Sequence, residues 1–296
     1  MSATLPASST RRAPTRRRGA LVWLALAPFG LGVLLFLLLP TLSLVWGSFH
    51  RSDGSFTVAN YGFLLAAEQL KPFQNSILLS ASTMLVGGVG GLLIGQALLS
   101  SRSGLVRELG VTFSSVAANF AGVPLAFAFI ATLGANGLLT RFWAALGIDL
   151  YGHGFTLYNL LGLAAVYSYF QLPLMVLLIL PALQAMRGEW REAAENLGAS
   201  RWYYLRRVAI PILLPSVIAS MLLLFANAFG AYATAYALTT GFFPIVPIEI
   251  SSVISGDVSF DPGQGDVLAI GLAVIMALCV GGQAWLQRRT GRWLER

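Results

Sequence analysis

The sequence predicts an all-α integral membrane bundle of six transmembrane helices with both termini in the cytoplasm. The chain of 296 residues is 56% apolar and only 10% charged, whereas soluble domains carry about 25% charged residues. Its mean hydropathy is +0.74, and six long segments contain no Asp, Glu, Lys, Arg or His. This composition excludes an ordinary soluble enzyme and a disordered chain.

Each of the six uncharged segments is long enough to be a transmembrane helix, which needs about 20 residues to cross about 30 Å of hydrocarbon. Only helices are expected, because every backbone amide in the membrane must be satisfied within its own segment. The spans are predicted at 21–46, 76–100, 109–133, 158–183, 208–238 and 267–286. A transmembrane domain over 21–286 is therefore expected between two basic tails, 1–20 and 287–296.

The distribution of charge predicts the orientation. If the N-terminus is cytoplasmic, the inner segments hold 16 of the 19 basic residues, and the outer loops hold Arg51, Lys71 and Arg141 with seven of the twelve acids. Such a division follows the positive-inside rule. The inner segments are 1–20, 101–108, 184–207 and 287–296. We therefore expect a multi-pass membrane protein, in contact with lipid and with both ends cytoplasmic.

The basic cluster Arg11–Arg18 stands directly before the first apolar run. That run is too long for the core of a cleaved signal peptide, and no small-residue cleavage site follows it. The cluster is thus interpreted as part of a retained signal anchor that fixes orientation. A nucleic-acid partner is not expected.

The sequence contains no motif for catalysis or for an energy source. Its only lysine, Lys71, precedes Pro72, so no Walker A loop is present. Neither HExxH nor GxSxG occurs. No catalytic residue, cofactor or metal is expected: there is one cysteine, Cys279, and the acidic stretch 257–266 departs from the calcium-loop pattern at Pro262. The absence of ionisable residues from the spans argues against a proton-driven carrier, while sodium binding by backbone carbonyls stays open.

The loop between spans four and five, 184–211, has the pattern of a helix, a glycine turn and a second helix. Gly198 is expected to end the first helix in the left-handed conformation, and Ser200 to cap the second. An apolar stripe on a water-facing loop predicts a partner that covers it; a helix lying on lipid is the alternative, but lipid favours basic and large apolar residues. The apolar face comprises Trp190, Ala193, Ala194 and Leu197.

The same loop resembles a known signature. It has Glu192-Ala193-Ala194, then Gly198 after three residues, then Val208-Ala209-Ile210-Pro211 after nine more. This resembles the EAA motif (EAA-x3-G-x9-I-x-L-P) of inner-membrane permeases of binding-protein-dependent ABC importers, with Val208 and Ile210 in place of its Ile and Leu. The six spans, the cytoplasmic termini and the position of the loop are also similar to that family.

The resemblance implies a permease subunit, in the inner membrane of a bacterium, that is not itself an enzyme. A separate ATPase, present in two copies, would hydrolyse ATP and receive the coupling loop. A second permease subunit, identical or different, and an extracytoplasmic substrate-binding protein are further implied partners. The implied coupling residues are Glu192 for charge, Ala193 and Ala194 for close approach, and Gly198 for the turn, together with Trp190, Leu197 and Pro211.

Two further stretches are similar to the spermidine/putrescine branch of the family: SFTVANYGFLLAAEQLKPFQNSILLS at 55–80 and GAYATAYALTTG at 230–241. A polyamine-like substrate is expected on this basis. Branches that import sugars, phosphonates, iron, sulfate or thiamine stay open as alternatives. Two readings from other classes also stay open, namely a secondary carrier or channel and a non-transporting membrane scaffold.

Polar residues are rare within the predicted spans, which makes them candidates for contact with substrate. Buried amides also commonly tie helices together, so both roles are open for each. The candidates are Asn119, Gln171, Asn227, Tyr232 and Tyr236.

Two apolar features complete the predictions. Gly87, Gly91 and Gly95 form a small-residue ridge in the second span, suited to close helix packing within the bundle or at a subunit interface. In the last outer loop, Pro247 is expected to begin a short helix that ends at Gly256, either interfacial or re-entrant at the outer mouth.

Overall fold

The computed structural model of the chain describes residues 26–51, 53–255 and 262–294. Within them the chain is helical, with no strand beyond an isolated bridge between His50 and Phe56, so the predicted all-α class is confirmed. The basic N-terminal tail, the start of the first predicted span and most of the acidic stretch that includes Gly256 lie outside the described residues.

The described residues form thirteen helices, labelled α1 to α13 in chain order. Six segments of the fold are long and apolar enough to cross a membrane, as predicted: Leu26–Ser48, Leu70–Ser100, Val123–Ala145, Leu160–Gln184, Arg201–Phe229 and Gly263–Arg288. The helices are α1 Leu26–Ser48, α2 Asn60–Phe63, α3 Ala67–Ser100, α4 Gly104–Asn119, α5 Val123–Leu133, α6 Leu138–Ala145, α7 Leu160–Gln184, α8 Gly188–Asn196, α9 Arg201–Tyr204, α10 Ile210–Phe229, α11 Tyr232–Thr239, α12 Val246–Ile254 and α13 Pro262–Leu294.

Two predicted spans are not continuous helices, and this part of the prediction was wrong. The span predicted at 109–133 is interrupted between α4 and α5, where Gly122 has φ +75°, and the third apolar segment continues through α5 into α6. The span predicted at 208–238 is interrupted at Gly230 and Ala231, between α10 and α11. Glycine and proline carry no charge, so a count of uncharged residues passes over such breaks.

Two span boundaries also differ from the prediction. Helix α3 begins at Ala67, so Lys71 and Pro72 lie within its first turns instead of in an outer loop. Helix α13 likewise extends outward past Asp266. In both cases the helix continues beyond the uncharged stretch, because the backbone hydrogen-bonding of a helix does not require an apolar side chain.

The predicted glycine ridge packs inside this chain. A Cβ atom added to any of its three glycines would meet a side chain of α7. The distances are 2.7 Å for Gly87–Gln171, 2.5 Å for Gly91–Met175 and 3.3 Å for Gly95–Ile179. Residue numbers rise together on both helices from one pair to the next, so α3 and α7 run parallel. The interpretation as bundle packing is confirmed, and the ridge is not left free for a subunit interface.

The two ends of the bundle separate the predicted inner and outer segments. At one end, the start of α4 and the end of α7 line one cleft, through Arg107 and Gln184. At the other end, Asn75 Nδ2 donates to the carbonyl of Pro244 (2.9 Å) and Val246 N–H donates to Oγ of Ser76 (2.9 Å). Predicted inner loops therefore share one end and predicted outer loops share the other. Which end faces the cytoplasm stays a prediction.

Two π turns interrupt the α-helical geometry, at Leu34–Leu38 and Leu205–Ala209. In each, the N–H of the following residue donates to the carbonyl five residues earlier: Leu39 to Leu34, and Ile210 to Leu205. A proline comes next in both cases, Pro40 or Pro211. A proline ring clashes with the carbonyl four residues before it and supplies no N–H, so the widened turn accommodates it without breaking the helix.

Candidate functional site

The loop that connects α7 to α10 folds as the sequence predicts. Helix α8 ends at Asn196, and Gly198 follows with φ +78°. Oγ of Ser200 then accepts a hydrogen bond from the Tyr203 N–H (3.2 Å), which caps α9. Helix, glycine turn and helix are thus confirmed, with the left-handed residue at the predicted position.

Most side chains of this loop are exposed, as far as the described residues are concerned. No residue of α8 is buried, and Leu197 is 88% exposed. Glu192 and Ala193 are exposed as well, while Trp190 and Ala194 are half-buried. We refer to Trp190, Ala193, Ala194 and Leu197, together with Glu192, as the loop surface. Apolar groups displayed in this way indicate a surface for another molecule.

Aromatic residues of α9 extend the apolar character beyond the loop surface. Trp202 is 67% exposed and Tyr203 is 57% exposed; the sequence reading did not include them, although they follow the cap directly. The side chain of Arg191 instead pairs with Glu195 at 3.4 Å within α8. Pro211, also predicted to belong to the coupling region, lies just after the π turn, whose wider geometry accommodates the proline ring.

A second candidate site forms where the two helix breaks meet. The N–H of Gly122 donates to Oγ1 of Thr234 (2.8 Å), which joins the first break to α11. The hydroxyl of Tyr167 donates to the carbonyl of Ala231 in the second break. Met276, near the middle of the last span, lies within 3.2 Å of a Cβ added to Gly230. The first break is therefore joined to the helix that follows the second, and the second break lies beside the middle of the last span. Discontinuous helices of this kind offer backbone groups to solutes.

Asn227 lies one turn before the second break, and its side-chain amide has no hydrogen-bond partner among the described residues. Its side chain is exposed on the surface of this chain, although it belongs to the span Arg201–Phe229. An unpaired amide facing hydrocarbon would cost several kcal/mol, on the order of the penalty for any unsatisfied polar group there. The amide is therefore suited to face another subunit or a water-filled passage.

The two candidate tyrosines lie on α11, directly after the break. Their rings pack at 5.2 Å between centroids, and the Tyr232 hydroxyl hydrogen-bonds Oγ of Ser251 on α12 (2.9 Å). Tyr236 is 47% exposed. An aromatic pair therefore follows Asn227 in the chain, and the hydrogen bond to α12 holds the ring of Tyr232 in place.

The other two candidates occupy different surroundings. Asn119 is exposed at the end of α4, beside the first break, and its Nδ2 donates to the carbonyl of Ser115 (2.8 Å) in its own helix. Gln171 is fully buried and its Nε2 donates to the carbonyl of Leu224 (2.8 Å). Its Oε1 has no partner among the described residues. Gln171 thus ties α7 to α10 and is buried, whereas Asn119, Asn227 and Tyr236 are exposed.

Helix α12 sits beside this site at the predicted outer end. It begins at Val246, with Pro247 in its first turn as expected, and a Cβ added to Gly265 would meet Val253 at 2.7 Å, so the helix packs tightly on α13. Its carboxylate, Glu249, is the single charged residue of 227–255. Burial raises the pKa of Glu249, because a low dielectric disfavours the charged form. Over the part of the chain that the structure describes, no group of three or more metal-ligating side chains forms.

Comparisons with known proteins agree with these features. The sequence profile described as "Binding-protein-dependent transport system inner membrane component" matches residues 17–292. The chain is 32% identical over 224 residues to a probable ABC transporter permease protein, y4fN, of Sinorhizobium fredii; the match covers 75% of this chain but 37% of that one. It is 30% identical over 205 residues to the sulfate transport permease CysT of Escherichia coli, which covers 68% of each.

A third relative and a solved structure extend the comparison. The spermidine/putrescine transport permease PotB of Haemophilus influenzae is 33% identical over 114 residues, covering 38% of both chains. In three dimensions, the fold is similar to a chain of a bacterial ABC transporter involved in the import of alginate, with a TM-score of 0.71 and 16% identity over 93% of this chain and 96% of that one.

Proposed function

Because the chain belongs to the family of binding-protein-dependent transport system inner membrane components, we propose that it is the permease subunit of an ABC importer. It would form the passage for a small solute and draw energy from ATP hydrolysis by a separate subunit. One observation carries the proposal: the loop surface presents the exposed apolar side chains of Ala193 and Leu197 at the end of the bundle that the charge distribution assigns to the cytoplasm. Such a surface needs a partner.

Within the loop surface, each residue has a proposed role in coupling. Ala193 and Ala194 allow the close approach of a partner backbone, Leu197 fills an apolar recess in it, and Glu192 supplies the charge. Gly198 directs the chain from α8 into α9 in a conformation that other residues enter at a cost of about 1 to 2 kcal/mol. When the ATPase subunit moves the loop surface, the movement would pass from α9 through the π turn and Pro211 into α10, which ends at the second helix break.

The solute passage is proposed to run along the surface that carries the helix breaks. Asn119, Asn227 and Tyr236 are each exposed and lie within five residues of a break along the chain. The ring of Tyr232 packs on that of Tyr236, and its hydroxyl is held by Ser251. The proposal excludes lipid as the neighbour of Asn227, since its amide has no partner among the residues that the structure describes. A second permease subunit would complete the passage from the opposite side.

A cationic, polyamine-like solute is the proposed substrate. Residues 227–255 contain no Lys, Arg or His, and they provide a pair of aromatic rings and the carboxylate of Glu249. Aromatic faces and carboxylates attract ammonium groups, whereas an anion such as sulfate would need hydrogen-bond donors or positive charge. The likeness to PotB favours the same class, and the likeness to CysT favours the alternative of an anion.

The proposed assembly contains a second permease subunit, two ATPase copies and an extracytoplasmic substrate-binding protein. Both termini of this subunit would lie in the cytoplasm of a bacterium, in accordance with the positive-inside distribution. Selection of the solute would rest largely with the binding protein, because it delivers the solute to the outer mouth.

The test is reconstitution of the purified subunits in liposomes, with labelled putrescine in the presence of binding protein. We expect uptake that requires ATP and that unlabelled polyamine suppresses but sulfate does not. Gly198→Ala should lower both ATPase copurification and uptake, whereas Gly188→Ala is the matched control: both glycines have open space around an added Cβ, but only Gly198 has positive φ. Uptake without ATP would indicate a secondary carrier and contradict the proposal.

A further inference from the structure

The cleft between α4 and α7 has a composition that the transport proposal does not use. Its volume is about 460 Å³, and it opens at the end of the bundle where α7 ends. Its lining includes Arg107, Glu108, Val111, Thr112, Leu180 and Gln184. We call it the α4–α7 cleft. Two opposite charges, two neutral polar groups and two aliphatic side chains thus face one small volume.

The two charged residues of the cleft, Arg107 and Glu108, do not form an ion pair with each other. The one ion pair among the side chains that the structure describes is Arg191–Glu195, so neither Arg107 nor Glu108 forms one there. Both are exposed. A guanidinium and a carboxylate that stand beside each other unpaired are complementary to a ligand with an anionic and a cationic group close together.

The polar and apolar linings lie at different depths. Helix α4 enters the bundle as its numbers rise, and α7 leaves it, so Val111 lies about 6 Å deeper than Arg107 and Leu180 about 6 Å deeper than Gln184 at 1.5 Å per residue. The candidate span Leu160–Gln184 ends at this level. Charged groups therefore stand at the height of lipid headgroups, and aliphatic groups stand one turn into the hydrocarbon.

We propose that the α4–α7 cleft binds the headgroup of an aminophospholipid of the phosphatidylethanolamine type. Arg107 binds the phosphate, Glu108 accepts hydrogen bonds from the primary ammonium, and Thr112 and Gln184 bind the remaining headgroup oxygens. The first acyl carbons lie along Val111 and Leu180. An anionic phosphatidylglycerol would leave Glu108 facing a negative headgroup, and the quaternary ammonium of phosphatidylcholine offers no N–H donor.

Native mass spectrometry of the full chain in mild detergent tests the proposal, with the dioleoyl forms of phosphatidylethanolamine, phosphatidylglycerol and phosphatidylcholine as probes. We expect the wild-type chain to retain the first lipid about two to five times better than the other two, as befits partly exposed charge contacts. Glu108→Gln should remove this preference without weakening phosphatidylglycerol. Arg107→Gln should weaken the binding of both phosphatidylethanolamine and phosphatidylglycerol.

The control is the ion-paired couple on α8. Arg191→Gln and Glu195→Gln change the same charges on an exposed helix, and they should leave all three lipids unaffected. Equal retention of the three lipids by the wild-type chain would overturn the proposal. So would variants at Arg107 and Glu108 that keep the lipid preference but lose ATPase copurification, because the cleft would then be a protein-docking surface. Glu108→Gln keeps the size of the native side chain and Arg107→Gln shortens it, and the melting temperature of each variant checks its folding.

Discussion

Gly91→Ala tests the contact between α3 and α7 on which the bundle depends. The added Cβ would lie 2.5 Å from Met175 Cβ and 2.6 Å from the carbonyl oxygen of Leu172, whereas carbon atoms in contact prefer about 3.5 to 4.0 Å. Because one obstacle is backbone and the other is the first atom of a side chain, no rotamer change relieves them. The helices must move apart by about 1 Å, the shortfall from that preferred contact distance.

The expected cost follows from this displacement. Overpacking of a tight interior costs about 1 to 3 kcal/mol, and the higher helix propensity of alanine returns at most about 1 kcal/mol. Two controls bracket the variant. Gly95→Ala meets Ile179 at 3.3 Å, and Gly281→Ala meets nothing within 4 Å, so the first should be nearly neutral and the second neutral or stabilising.

Thermal unfolding in detergent, followed by tryptophan fluorescence, measures the series. Melting temperatures should fall in the order Gly281→Ala, Gly95→Ala, Gly91→Ala, with the last clearly below the wild-type protein. A Gly91→Ala variant as stable as Gly95→Ala would refute the reasoning, because it would mean that α3 and α7 do not approach as closely as the ridge requires.

Three further changes probe the site. Thr234→Val removes the acceptor of the Gly122 N–H and should lower the free energy of unfolding by about 1 to 3 kcal/mol. The control is Thr132→Val, which should cost much less because the Thr132 hydroxyl bonds within its own helix. Equal melting temperatures of the two variants would refute the role of the hydrogen bond between Gly122 and Thr234. Asn227→Leu should abolish most uptake without lowering the melting temperature or ATPase copurification, and full uptake by this variant would remove Asn227 from the passage. Burial raises the pKa of Glu249, so the folded state holds this proton more tightly than the unfolded chain does. Stability is therefore lost as the pH rises from the ordinary pKa of a glutamate through the raised one. Glu249→Gln should remove that part of the pH dependence of the melting temperature, and an unchanged pH profile would contradict this.

The outline of the fold was predictable because it rests on properties that single residues report. A run without charge must lie in the membrane, and the six runs recur as six apolar segments. The breaks at Gly122 and Gly230 were not predictable in the same way, since transmembrane helices tolerate Gly and Pro when neighbours satisfy the freed backbone groups. Whether a break forms depends on Thr234 and Tyr167, which are distant in sequence.

The two candidate sites differ for the same reason. The loop surface depends on helical spacing and a glycine within a dozen residues, and its local structure is as predicted. The passage candidates depend on which way a side chain points in the assembled bundle. Gln171 and Asn227 are both amides within spans, yet one faces the backbone of α10 and the other faces outward. No local pattern distinguishes them.

The π turn at Leu205–Ala209 has a consequence for angular phase. A π turn takes one residue more than an α turn over the same arc, and each residue of an α-helix rotates the chain by about 100°. The segments before and after the π turn are therefore rotated about the helix axis, relative to each other, as if the helix contained one residue fewer. In a regular helix, Trp202 and Tyr203 would point about 100° away from their present directions relative to α10. The extra residue before Pro211 thus determines the direction in which the loop surface faces relative to α10.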